Sequence, residues 1–122
     1  MDPGDFWQYL KRLVAGSRVI IERPKGSQHP RNPEIVYPQD YGYLEGTNSG
    51  DGGGIDVWVG ASGTRELSAL VLTVNLHKRD AEIKILLGCS KDEIKTILVF
   101  HNENDMGQPL FASRRSKNEG HS

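Results

Sequence analysis

Between Asp51 and Asp56 the chain reads Asp-Gly-Gly-Gly-Ile-Asp, two carboxylates either side of three glycines. Carboxylates are hard oxygen ligands, and Mg²⁺ is usually held by one or two of them together with water and substrate phosphate oxygens. Glycine lets the backbone approach a ligand closely and adopt positive φ. The closing Glu of the twelve-residue calcium loop is missing. The chemistry suggested is a divalent cation shared with a phosphate; the competing reading is a glycine-rich turn with surface aspartates. A second pair, Glu82 and Lys84, has the period-two spacing that places both on one face of a strand. A carboxylate beside an ammonium can act as a metal ligand beside a phosphate clamp, or as a solvated ion pair contributing little stability. Tyr37, Tyr41 and Tyr43 surround Pro38 and Gly42. Their hydroxyls can donate to phosphate oxygens, or the rings can simply pack with a wet tip.

Other chemistries lack their residues. No G-x-S-x-G elbow is present, and neither G-x-x-x-x-G-K-[ST] nor G-x-G-x-x-G before a helix occurs. His29, His77, His101 and His121 show no paired metal spacing. The single cysteine, Cys89, excludes an intrachain disulfide and a four-thiolate zinc site, and reads as a small buried residue. With 15 Lys+Arg against 16 Asp+Glu there is no basic excess for nucleic acid. No apolar run approaches the ~20 residues of a membrane span. The N-terminus carries Asp2 and Asp5 without a signal-peptide pattern, so the expected setting is cytoplasmic.

The elements that must position these groups are legible in outline. Asp2 as cap, Pro3 at the first turn, and Phe6, Tyr9, Leu10, Leu13 and Val14 at helical spacing predict a helix that ends at Gly16. Arg18–Arg23 is rich in β-branched residues and reads as a strand, followed by a loop over Pro24–Pro33. Ile55–Val59, Leu67–Leu76 and Glu82–Leu87 alternate as strands; in the first, Ile55, Val57 and Val59 face a core and Asp56 and Trp58 face away. Ser90 and Glu93 form a capping-box pattern before Ile94, Ile97, Leu98 and His101. Short strands between glycine-rich turns predict a small, mainly antiparallel β-barrel with a helix towards each end. A chain of 122 residues makes one domain, expected over 1–112, with 113–122 as a disordered tail.

Taken together, VIIERPKG (Val19 to Gly26), VYPQDYGYLEGT (Val36 to Thr47), DGGGIDVWVG (Asp51 to Gly60) and, more weakly, DAEIKILLG (Asp80 to Gly88) resemble the soluble family I inorganic pyrophosphatases. The resemblance implies a mainly β (α+β) fold, a small OB-like antiparallel barrel with flanking helices. It also implies Mg²⁺-dependent hydrolysis of pyrophosphate to two phosphates, with Mn²⁺ as the alternative metal, by a cytoplasmic homo-oligomer with no nucleic-acid or membrane partner. Carried over residue by residue, Glu22, Tyr37, Tyr41 and Lys84 fall on catalytic positions. Asp51, Asp56 and Glu82 fall on metal positions, and Lys25 and Arg31 stand near the phosphate-binding Lys and Arg. The middle aspartate of the family's triad is Gly53 here, the stretch between Glu22 and Tyr37 is short, and the Tyr-Lys pair of the last helix is absent. Those losses keep a second class open: a non-catalytic relative that binds phosphate-type anions or a protein.

Overall fold

The computed structural model describes residues 3–50, 52–76, 78–104 and 108–114. In chain order the elements are α1 (Pro3–Ala15), β1 (Val19–Arg23), β2 (Asp40–Leu44), β3 (Ile55–Val59), β4 (Leu67–Asn75), β5 (Asp80–Leu87), α2 (Lys91–Asn104) and β6 (Gln108–Arg114). The chain builds one mixed sheet in the order β1-β2-β3-β5-β4-β6. The fold is mainly β with two helices, as the sequence pattern led us to expect. Every pairing is antiparallel except β3 with β5, which run parallel. Parallel neighbours cannot be joined by a tight hairpin. Here β4 makes the crossover and returns antiparallel along the far side of β5.

Both faces of the sheet are covered. On one, Leu44, Val57, Val59, Leu70, Ile85 and Leu87 pack with Leu10 and Val14 of α1. On the other, Trp58, Ala69, Val71 and Leu86 pack with Ile94, Ile97 and Phe100 of α2, and Tyr37 joins them. The expected division of β3 into an inward and an outward face therefore changes. Trp58 is as fully buried as Val57 because a helix lies on its side too. In α1 the inward stripe is Trp7, Leu10 and Val14. Phe6, Tyr9 and Leu13, which share the helical spacing, stay exposed. Asp2, the expected cap, lies outside the described residues.

Two strands went unassigned in the sequence. β2 carries Gly42 between two tyrosines, and a Cβ there would collide with the Ile20 carbonyl of β1, so the glycine is what lets these strands pair. β6 pairs along β4 and takes in residues 113 and 114; the expected tail beyond them lies outside the described residues. At the start of α2 the Ser90 amide donates to Glu93 Oε1 (2.9 Å) and the Glu93 amide to Ser90 Oγ (3.1 Å), the reciprocal capping box expected. Ala61 N–H donates to the other Glu93 oxygen (3.0 Å), tying the helix start to the turn after β3. Burial pushes the Cys89 thiol up to about 12, with the Glu93 charge adding to the effect, which suits an inert, partly buried residue.

Candidate functional site

The parallel β3–β5 seam sets Asp56 opposite Lys84. Antiparallel β2 sets Tyr43 opposite Asp56 and Tyr41 opposite Trp58. Residues paired in register share a face, and Glu82, two residues before Lys84, shares it by the period-two rule. Lys84 is thus delivered to the α2 side of the sheet, beyond the apolar patch under that helix. Its Nζ donates to Asp56 Oδ2 (2.9 Å), Tyr41 Oη (3.1 Å) and Glu82 Oε1 (3.2 Å). An ammonium has three N–H donors, and all three are engaged. The Lys84 side chain is only 9% exposed, whereas Asp56 and Glu82 are 32% and 28% exposed. The cation is therefore buried beneath two carboxylates that still reach solvent.

The electrostatics follow from that burial. Burial disfavours the Lys84 ammonium, but Tyr41 and Asp56 outweigh it and the pKa moves up. Burial likewise pushes the Tyr41 hydroxyl up; the Lys84 ammonium opposes this and the Asp56 carboxylate adds to it. At neutral pH Tyr41 is thus an uncharged phenol that accepts from Lys84, and Asp56 supplies the attractive charge. Lys84 Nζ also lies 5.6 Å from the centre of the Tyr41 ring, within cation–π range.

A cleft of about 120 Å³ adjoins Lys84, lined by His29, Ile35, Tyr37, Tyr41, Trp58, Phe100 and His101 as well. Its walls form one aromatic cluster: ring centroids lie 5.6 Å apart for Tyr37–Tyr41, 4.6 Å for Tyr41–Trp58 and 5.4 Å for Tyr37–Phe100. Trp58 Nε1 donates to His101 Nε2 at 3.0 Å. An accepting Nε2 bears no proton, which places the ring hydrogen on Nδ1. A larger hollow of about 750 Å³ lies at the start of α2, beside Ser62, Thr64, Ser68 and Cys89. Two carboxylates line it, Glu66 and Glu93, and Glu93 is committed to capping.

Of the residues singled out in the sequence, Tyr37, Tyr41, Asp56, Glu82 and Lys84 come together. Glu22 sits exposed at the bulge between Ile21 and Arg23, three strands from Lys84 in the sheet order. Lys25 and Arg31 are exposed, and it is their backbone amides that are used, on Asp40 Oδ1 (2.8 Å) and His29 Nδ1 (3.1 Å). Asp51 lies outside the described residues. The loop around it is pinned by Gly53 O, which accepts from Ser49 N (2.7 Å) and Ser49 Oγ (3.0 Å). Its left-handed residue is Gly52, at φ +88°. Among the described residues no three His, Cys, Asp or Glu side chains cluster as a metal site. Sequence reasoning missed His29, Trp58, Phe100 and His101 as cleft residues. Their one legible signal was the helical spacing that put His101 in line with Ile94 and Ile97.

No protein-family model matches the chain, and no curated protein matches it. Solved structures do. An inorganic pyrophosphatase from Neisseria gonorrhoeae matches at 16% identity over 84% of this chain and 84% of that one, with a TM-score of 0.61. One from Coxiella burnetii matches at 15% identity over 79% of this chain and 84% of that one, also at 0.61. The enzyme from Helicobacter pylori matches at 16% identity over 84% of each chain, at 0.54. At such identities the likeness establishes a shared fold. No helix among the described residues is long and apolar enough to cross a membrane.

Proposed function

We propose that this chain is a Mg²⁺-dependent pyrophosphate hydrolase of reduced power, with its site at Lys84. The observation that carries the reading is the Lys84 ammonium buried between Asp56, Glu82 and Tyr41, on a fold shared with inorganic pyrophosphatases. Two carboxylates and one ammonium leave a net negative charge, which repels a bare phosphate. Such a cluster suits an anion that arrives with a divalent cation. Asp56 and Glu82 are hard oxygen donors open to solvent, so the donor set fits Mg²⁺, with Asp51 as a third candidate ligand. When bound, Mg²⁺ neutralises substrate charge and lowers the pKa of a coordinated water.

The chain's own residues do the rest. All three Lys84 donors are occupied, so a phosphate oxygen reaches the ammonium by displacing an acceptor. Glu82 makes the longest of the three contacts, at 3.2 Å. Once released, Lys84 binds the phosphate as a fixed positive charge. Tyr41, kept protonated by burial, can turn its hydroxyl to donate to the same anion, and Tyr37 walls the cleft. Gly53 supplies no carboxylate where the resemblance places one near the attacking water. The loss of such a proton acceptor lowers the rate by roughly 10²–10⁴-fold.

Calorimetry tests this reading. Pyrophosphate should bind in the presence of Mg²⁺ and hardly at all without it, and Lys84→Met should abolish binding. Equal binding with and without metal would remove the reading. Gly53 is also the observation that favours the second one, a non-catalytic binder. Gly53→Asp should raise phosphate release by roughly tenfold; a folded, metal-binding variant without turnover would favour the binder.

A further inference from the structure

The loop between β1 and β2 delivers one side chain to the cleft that neither the resemblance nor the sequence spacing assigned. His29 is fixed at both backbone groups, its N–H donating to Ile35 O (2.8 Å) and its carbonyl accepting from Asn32 N (3.3 Å). Its ring lies parallel to Tyr37, at 3° and 6.4 Å between centroids. Nδ1 accepts the Arg31 amide at 3.1 Å. A ring nitrogen that accepts an N–H has no proton of its own, so the neutral imidazole carries its hydrogen on Nε2. Among the described residues that Nε2 has no protein acceptor, and the half-buried ring lines the same 120 Å³ cleft as Lys84 and Tyr41.

We propose that His29 is a further anion-contacting residue of this cleft, donating Nε2–H to a phosphate oxygen of the pyrophosphate whose other end is held at Lys84 and Tyr41. The inference rests on the Lys84 reading above and adds a ligand contact to it. Of the remaining wall residues, Ile35 and Phe100 are apolar, Trp58 and His101 are bonded to each other, and Tyr37 contributes a hydroxyl rather than a cation. A cleft of this size is well below the ~300 Å³ at which organic-ligand pockets begin. It suits a small inorganic anion gripped at two points. The stack on Tyr37 and the Arg31 amide aim the donor before any anion arrives.

Two substitutions separate donation from packing. His29→Phe keeps a ring for the Tyr37 stack and removes the donor. His29→Gln loses the ring and restores an N–H at a similar reach. In calorimetry with Mg²⁺ and pyrophosphate, His29→Phe should bind about tenfold more weakly, the effect of one hydrogen bond to a charged group. His29→Gln should recover most of that loss, and His29→Phe should still fold, melting only slightly below wild type because the exposed Arg31 amide exchanges its Nδ1 acceptor for solvent. On the wild-type chain, Mg²⁺ and pyrophosphate should shift the His29 imidazole ¹⁵N resonances. If His29→Phe binds as wild type does, or the His29 ring resonances stay still while Lys84→Met abolishes binding, this inference fails and the Lys84 site stands. If the wild-type chain binds no pyrophosphate, both fail.

Discussion

Lys84 has an unusual setting for a lysine, because its charge is buried and its carboxylate partners are not. Removing one partner of a desolvated ion pair leaves the other uncompensated, which costs more than the pair contributed. Lys84→Met should therefore lower stability by about 2–4 kcal/mol, at the low end because Asp56 and Glu82 can rehydrate. Urea unfolding measures it, and an unchanged midpoint would mean that the cluster is not formed in solution. The raised Lys84 pKa has a defined sign. Its stabilising effect is fully present below the ordinary lysine range and is lost only as pH rises through the higher folded value. The cluster thus stays intact across neutral pH. Much of this cluster was legible in the sequence. Period two put Glu82 with Lys84, and the tyrosine segment and Asp56 were singled out for their chemistry. The burial of Lys84 was not legible, because it depends on which strand lies beside β5. Nor was the Trp58–His101 bond, which joins residues 43 positions apart; no local period encodes such a contact.

At the scale of elements, the parallel β3–β5 pair makes the site. It sets Asp56 and Lys84 side by side although 28 residues separate them. Alternation in Ile55–Val59 and Glu82–Leu87 identified both strands but carried no information on their order or direction. β2 went unassigned because Gly42 between two tyrosines carries no clear strand pattern. The close approach of Ile20 that makes Gly42 necessary belongs to the pairing itself. α2, in contrast, was announced by its capping box. There the Glu93 carboxylate is pushed up by burial and pulled down more strongly by the N–H groups of Ser90 and Ala61, so its pKa falls below the ordinary 4.5. A depressed carboxylate contributes stability that is present above its unfolded pKa and lost as pH falls through its folded value. Glu93→Ala should cost about 1 kcal/mol at pH 7, the usual worth of a cap. That difference should shrink below the unfolded pKa, as wild-type Glu93 takes up its proton. Chemical denaturation at pH 7 and pH 3 would show it. A gap of the same size at both values would mean that the charge plays no part in the cap.

For the whole molecule, the sheet has two covered faces, and among the described residues the buried lysine and its partners lie on one of them. α1 covers its face with apolar side chains from both partners. α2 covers the other only over Trp58, Ala69, Val71 and Leu86, and the polar cluster lies beyond that patch. The fold class was legible because alternating strands between two helical patterns admit few arrangements. The covering of both faces was not, since a strand buried on both sides loses the in–out contrast that marks a core. On this fold, shared with inorganic pyrophosphatases at 15–16% identity, the proposed function is hydrolysis of pyrophosphate at the Lys84 cluster with the help of a divalent cation. The most direct measurement is phosphate release from pyrophosphate by the full chain with Mg²⁺ or Mn²⁺ in excess, beside Lys84→Met and Asp56→Asn. The account predicts slow, metal-dependent release above the buffer rate that both substitutions abolish. Release indifferent to metal and to both substitutions, or none above the buffer rate from a folded wild-type chain, would contradict it.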